Sequence, residues 1–163
     1  MNSLDDCGEI FALRKRVFVD ELGLPKETER DALDQMAYYA LVFDEQDIPS
    51  GTGRLALVDD RFTIGRVCVC AGARGQGLGD LILRMLLVRV QEMEAPEVWV
   101  SALTDVAPFY ARYGFSPVGG PFLEEGREHQ RMRALAEEID IEGSCQKSEK
   151  GCAGCGKSCS GNV

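Results

Sequence analysis

The chain has 163 residues and a formal net charge of −9, with 45% hydrophobic and 28% charged residues. That size and balance describe one soluble globular domain, large enough to bury a core without disulfide or metal staples. No apolar run could span a membrane, the acidic start "MNSLDDCGEIF" lacks the apolar stretch of a signal peptide, and the surplus of carboxylates argues against duplex nucleic acid, so the expectation is a cytoplasmic protein acting on small molecules.

In chain order, Ile10, Leu13 and Val17 at helical spacing predict an amphipathic helix over residues 7–22, ended by Gly23 and Pro25. "KETERDALDQM" reads as a charged loop without period. "YYALVFD" (38–44) predicts a strand, "DIPSG" (47–51) a turn, "TGRLALV" (52–58) a second strand and "RFTIGRVCVC" (61–70) a third, together an antiparallel meander. Leu78, Leu81, Ile82, Met85, Leu86 and Val90 then predict one apolar face of a helix to about residue 93. "EVWVSAL" (97–103) reads as a buried strand and "VAPFYARYGF" as a short helix closed by Gly114. "SPVGG" and "PFLEEG" read as loops or edges, and "HQRMRALA" (129–136) as a last strand. This order makes an α+β, or mixed α/β, domain over residues 1–142.

Between the third strand and the long helix stands "ARGQGLG" (73–79). A strand that runs through glycines into a helix aims backbone N–H groups at one spot, and the helix N-terminus adds about half a positive charge. The result is a cradle for an anion, typically a phosphate. Neither the P-loop pattern nor G-x-G-x-x-G is present, so neither a nucleoside triphosphatase nor a Rossmann site is indicated.

A second motif, "FYARYGF" (109–115), follows about 25 residues later. The pair of motifs resembles the GNAT family of acyl-CoA-dependent N-acyltransferases. Arg74, Gly75, Gln76, Gly77, Leu78 and Gly79 match its pyrophosphate-binding turn, and Phe109, Tyr110, Gly114 and Phe115 its F-Y-x-x-x-G-F motif. "LRKRVFVDE" (13–21), "GTGRL" (51–55), "IGRVCV" (64–69) and "FLEEGREHQRM" (122–132) extend the resemblance to a subgroup similar to ElaA and YjcF-like proteins. The chain departs from that pattern in three ways: the strand that usually precedes the first helix is missing or very short, Tyr39 stands where histidine is usual, and Leu22 where glutamine is usual. All three touch the acceptor side of the expected site.

The resemblance implies a central, mostly antiparallel sheet flanked by helices, with acetyl-CoA bound where "RVCVC" and "EVWVSAL" splay apart. It implies pantetheine pairing along Val67, Cys68 and Val69, the pyrophosphate on Arg74 to Gly79, and Tyr110 as the acid that protonates the leaving thiolate. The implied reaction is N-acetyl transfer from acetyl-CoA to a primary amine, on an acceptor read as a small molecule, by direct attack. Such a reaction needs a base for the amine and a donor for the tetrahedral oxyanion, expected at a bulge near Val69. Glu21 and Glu125 are the preferred carboxylates for base or amine-binding work, and the lone His129 lies in a matched motif near the cleft. Cys68 and Cys70 alternate on a strand and read as small core residues, not nucleophiles.

Residues 143–163 are a Cys/Gly-rich tail of opposite charge, +2 against −11 for the rest. Cys145, Cys152, Cys155 and Cys159 are spaced C-x6-C-x2-C-x3-C, a pattern that could close a zinc shell or hold an iron–sulfur cluster; without a metal the composition predicts disorder. The alternative to an enzyme is therefore a non-catalytic acyl-CoA-binding or metal/redox-sensing module that uses this tail.

Overall fold

In the computed structural model, which describes residues 7–142, the amphipathic start is α1, Cys7–Arg14, prolonged by a π-helical turn over Lys15–Glu21. The Leu22 N–H reaches back to the Val17 carbonyl at 3.0 Å, one residue further than an α-helix would. The wider turn lets two consecutive residues, Val17 and Phe18, face the buried Cys68 together. Residues 1–6, where a strand ahead of α1 would fall, and the cysteine tail lie outside the described residues.

The charged segment that follows is not an aperiodic loop. It holds α2 (Lys26–Glu29) and a 3-10 turn (Ala32–Gln35). Asp31 caps the second: its carboxylate accepts from the Leu33 N–H at 3.0 Å, while the Asp34 carboxylate accepts from the Asp31 N–H at 3.1 Å.

The sheet contains β1 (Tyr38–Phe43), β2 (Pro49–Val58), β3 (Arg61–Val69), β4 (Glu97–Leu103), β5 (Ser116–Pro117), β6 (Phe122–Glu124) and β7 (Arg127–Leu135). Their order is β1-β2-β3-β4-β7-β5, with β6 also on β7, and the β3–β4 pair is the one parallel pairing. The predicted meander and last strand are both present. The turn predicted over 47–51 is shorter, because Gly51 already lies in β2. A Cβ on Gly51 would sit 2.9 Å from Ile82, and one on Gly53 2.6 Å from Ile82, so these glycines let α3 (Leu78–Glu92) settle directly on the strand. That seating also corrects the predicted helix face. Ile82, Leu83, Leu86, Leu87 and Val90 are buried, whereas Leu81 and Met85 are exposed. The F-Y-x-x-x-G-F motif supplies α4 (Ala107–Ala111) and the turn at Gly114.

Arg14 is fully buried and ties the helical segment to the sheet. Its guanidinium is hydrogen-bonded to the Glu29 carboxylate and lies 2.6 Å from Asp34 Oδ1. Arg54, from β2, reaches the same Asp34 oxygen at 2.8 Å and grips Asp31 at 2.7 and 3.1 Å. The Tyr39 hydroxyl donates to Asp34 at 2.6 Å. Burial alone would raise the Asp34 carboxyl, but hydrogen bonds from Arg14, Tyr39, the Asp31 amide and Arg54 outweigh it and hold the group well below the usual carboxylate range.

A carboxyl held low in the folded state contributes stability that is fully present above about pH 4 and is lost as pH falls toward the folded-state value. Asp34→Asn should therefore cost about 3 kcal/mol at neutral pH, by stranding part of a buried cation, and flatten the acid limb of stability; urea unfolding across pH checks both. At Gly114, φ is +98° and a Cβ would lie 1.9 Å from the Glu138 carbonyl oxygen. Gly114→Ala should cost about 3 kcal/mol, against about 1 kcal/mol for Gly75→Ala, where φ is +83° but the space is open. The shift in urea midpoint of each variant separates the two.

Candidate active site

The parallel pairing of β3 with β4 is short: Thr63 faces Trp99 and Ile64 faces Val100, and the ladder then stops. The cause lies on the other edge of β3. Its register with β2 jumps from Arg54↔Gly65 to Thr52↔Cys68, so Arg66 and Val67 together oppose Gly53. Arg66 adopts φ +52°, an uncommon conformation for a residue with a side chain. This bulge bends β3 toward β2 and away from β4, opening a V between the strands expected to splay. The bulge sits at Arg66–Val67 rather than near Val69, because Gly53, under α3, leaves the room for it.

Beyond the bulge lie Val67, Cys68 and Val69. The Cys70 N–H donates to the Ser50 carbonyl at 2.8 Å, so by antiparallel alternation the backbone groups of Val69 face the gap. The Val69 carbonyl accepts from Arg74 Nε at 3.1 Å. Cys68 is buried, and burial pushes its thiol up to about 12, which keeps it a neutral packing group as expected.

A 3-10 turn (Ala71–Ala73) leads into the glycine segment. Gly75 and Gly77 have φ of +83° and +75°, and a Cβ on either would meet nothing within 4 Å. Gly77 is the N-cap of α3, with no side chain capping it, and Gly75, Gln76 and Gly77 are exposed. The acidic residue of the first helical turn, Asp80, is engaged elsewhere, by the Tyr113 hydroxyl and by Arg112 at 3.0 Å. The exposed start of this helix, with no side chain capping it, is suited to an anion. Arg74 is held beside them by Glu21, at 2.7 and 2.8 Å.

At the mouth of the V is a cleft of 330 Å³. Tyr110 projects into it from α4; the residue is fully buried and its hydroxyl has no hydrogen-bond partner. The rings of Phe109 and Phe115 meet it edge-on at 5.2 and 5.8 Å. Burial raises the phenol above its ordinary range, so at neutral pH it keeps its proton and remains a donor. Val100, Ser101 and Leu103 line one wall. Next to it, since β7 pairs with β4, lies the β6–β7 hairpin with Glu124, Glu125, Arg127 and His129. Glu125 and Gly126, at φ +52° and +76°, form its tight turn.

The cleft thus brings Tyr110, Glu125 and His129 together, whereas Val67–Val69 and the glycine turn are not among the residues that line it. Glu21 is not at the cleft with Glu125; it is bound to Arg74 beside the glycine turn. Asp31, one of the carboxylates that the sequence offers as a possible base or amine-binding group, lines the cleft, and so do Arg54 and Arg66, which were not singled out by sequence. Among the described residues no cluster of His, Cys, Asp and Glu could hold a metal, and no helix is long and apolar enough to cross a membrane; the zinc or iron–sulfur expectation falls on the tail, outside them.

Residues 8–136 match the family model of the acetyltransferase (GNAT) domain. The N-acetyltransferase YjcF of Bacillus subtilis is 30% identical over 125 residues, 76% of this chain and 89% of that protein. Among solved structures, an acyl-CoA N-acyltransferase from Pseudomonas aeruginosa is 28% identical with a TM-score of 0.73, covering 82% of this chain and 92% of that one. Escherichia coli ElaA is 26% identical with a TM-score of 0.71, covering 81% and 91%. With the split sheet, the open glycine turn and these likenesses together, the chain belongs to the GNAT acetyltransferase family.

Proposed function

We propose that the protein transfers the acetyl group of acetyl-CoA to the primary amine of a small acceptor by direct attack. The observation that carries this reading is the Tyr110 hydroxyl, buried, protonated and unpartnered in the cleft where β3 leaves β4. A buried donor without an acceptor costs about 1–3 kcal/mol, and a substrate atom that accepts its hydrogen bond removes that cost. Acetyl-CoA supplies the activated acyl group and a thiolate leaving group.

The chain's own residues divide the work. The N–H groups of Gly75, Gln76, Gly77, Leu78 and Gly79 receive the pyrophosphate, helped by the α3 dipole, and Arg74, whose own N–H is given to the Ala71 carbonyl, contributes its guanidinium. The edge formed by Val67, Cys68 and Val69 pairs with the pantetheine amides. Tyr110 gives its proton to the departing sulfur. Glu125, at the rim of the cleft, attracts the acceptor's ammonium group. Glu21 holds the Arg74 guanidinium at the phosphate turn, a supporting role that its bidentate ion pair favours over that of a free base.

Acetyl-CoA at a hundred times its Kd should stabilise the fold by about 2.7 kcal/mol, read as a rise in Tm. CoA should do the same, and Gly77→Val should abolish both. Tyr110→Phe should leave the acetyl-CoA Kd within about twofold and lower kcat roughly a hundredfold. Turnover unchanged in that variant would remove Tyr110 from the chemistry.

A further inference from the structure

We propose that His129 is the base that takes the proton from the acceptor amine, with Glu124 steadying the imidazolium. The inference rests on the acetyltransferase reading. His129 is the chain's sole histidine. It sits on β7 opposite Leu103 of β4 and lines the same cleft as Tyr110. Its side chain is 17% exposed, and the ring stacks on Phe122 at 5.9 Å with a 30° tilt.

The ring's orientation assigns its protons. Nδ1 lies 2.9 Å from the Arg127 carbonyl oxygen. A carbonyl only accepts, so Nδ1 carries the hydrogen and the neutral ring keeps its lone pair on Nε2. Nε2 stands 4.0 Å from Glu124 Oε2. That is too long for a hydrogen bond, but near enough for the carboxylate to favour the ring once it is charged. A carbonyl that orients the ring, a free nitrogen and an adjacent carboxylate make the arrangement of a general base.

The charged surroundings leave this bias in place. From the hairpin come Glu124, Glu125 and Arg127; from across the cleft come Asp31, Arg54 and Arg66, with Asp31 paired to Arg54 at 2.7 Å and 3.7 Å from Arg66. Tyr110 faces the same space and is neutral.

The step balances. The amine nitrogen bonds to the acetyl carbonyl carbon, and the bond from that carbon to sulfur breaks. Nε2 of His129 takes the proton the nitrogen loses, and the Tyr110 hydroxyl gives one to the sulfur. The His129 proton returns to Tyr110 through water. A neutral amine and a thioester become an amide and a thiol, without oxidant or reductant.

Two measurements test this. The first is the ¹⁵N spectrum of the lone imidazole in the folded wild-type protein: a neutral ring protonated on Nδ1 is expected, and a ring protonated on Nε2 would overturn the proposal whatever the activity. The second is a kinetic comparison on an amine that the wild type acetylates. His129→Gln should lower kcat by roughly 10²–10³-fold, leave the acetyl-CoA Kd unchanged, remove the acidic limb of the kcat/KM profile and respond to added imidazole. Glu124→Gln should keep that limb but move it to lower pH, because the charged ring loses its carboxylate. A merely structural histidine would alter stability and leave the limb in place, and a fully active His129→Gln enzyme would dismiss the base role alone. No transfer by the wild type to any amine, with acetyl-CoA bound, would instead overturn the acetyltransferase reading and the base role with it.

Discussion

The Arg14 guanidinium has no solvent contact, and a buried cation persists only when its charge and its donors are met. Glu29 and Asp34 meet them, both drawn from the segment after α1. Burial would lower the Arg14 pKa, but these partners outweigh it and hold the group even more firmly charged. Once fixed, Asp34 is also the anchor for Arg54 of β2 and Tyr39 of β1. Arg66, at the bulge, joins through Asp31 at 3.7 Å and through the Thr28 carbonyl at 2.9 Å. Three arginines and three carboxylates thus tie the first helix, the acidic loop and the first three strands into one corner. Asp31, Arg54 and Arg66 of that corner line the cleft, so the position of this wall depends on a charge balance made around the buried Arg14.

The other constraint is steric. Gly51 and Gly53 put no side chain between β2 and α3, so Ile82 and Leu86 rest on backbone. Helix α3 begins at the glycine turn, and Gly53 lies opposite the bulge that parts β3 from β4. One close contact therefore sets both the height of the open helix N-terminus and the place where the sheet splits. Helix α3, which starts at the glycine turn, thus rests on the strand that lies opposite the bulge. Substituting Gly53 would disturb both ends of the site at once.

How much of this was legible in the sequence follows from the range over which each signal acts. The meander, the long helix and the F-Y-x-x-x-G-F turn rest on local periodicity and on glycine punctuation, and were read in chain order. The resemblance placed Val67–Val69, the glycine turn and Tyr110 at one opening. The charged stretch after α1 was taken for a loop because its carboxylates look solvated; Glu29 and Asp34 are buried only because Arg14 and Arg54 come to them from elsewhere in the chain. The face of α3 was misread at Leu81 and Met85 because its apolar residues run around most of the helix, and only the contact with Gly51 and Gly53 decides which of them turn inward. Glu21 illustrates the same limit: its motif was matched, but its partner, Arg74, could be found only in three dimensions.

Tyr39 shows how a departure from the subgroup's usual pattern can be absorbed. The expected histidine would offer a ring N–H to a neighbour; the tyrosine hydroxyl donates to Asp34 instead, and burial and that carboxylate together raise its own pKa, so it remains a donor. Tyr110 is the opposite case. It is fully buried where Tyr39 is half-buried, and its hydroxyl has no acceptor among the described residues. Both tyrosines thus keep their protons, Tyr39 while completing a network and Tyr110 through burial alone. A buried donor that faces a cleft is pre-organised for charge that develops there, because nothing must reorient when the charge appears.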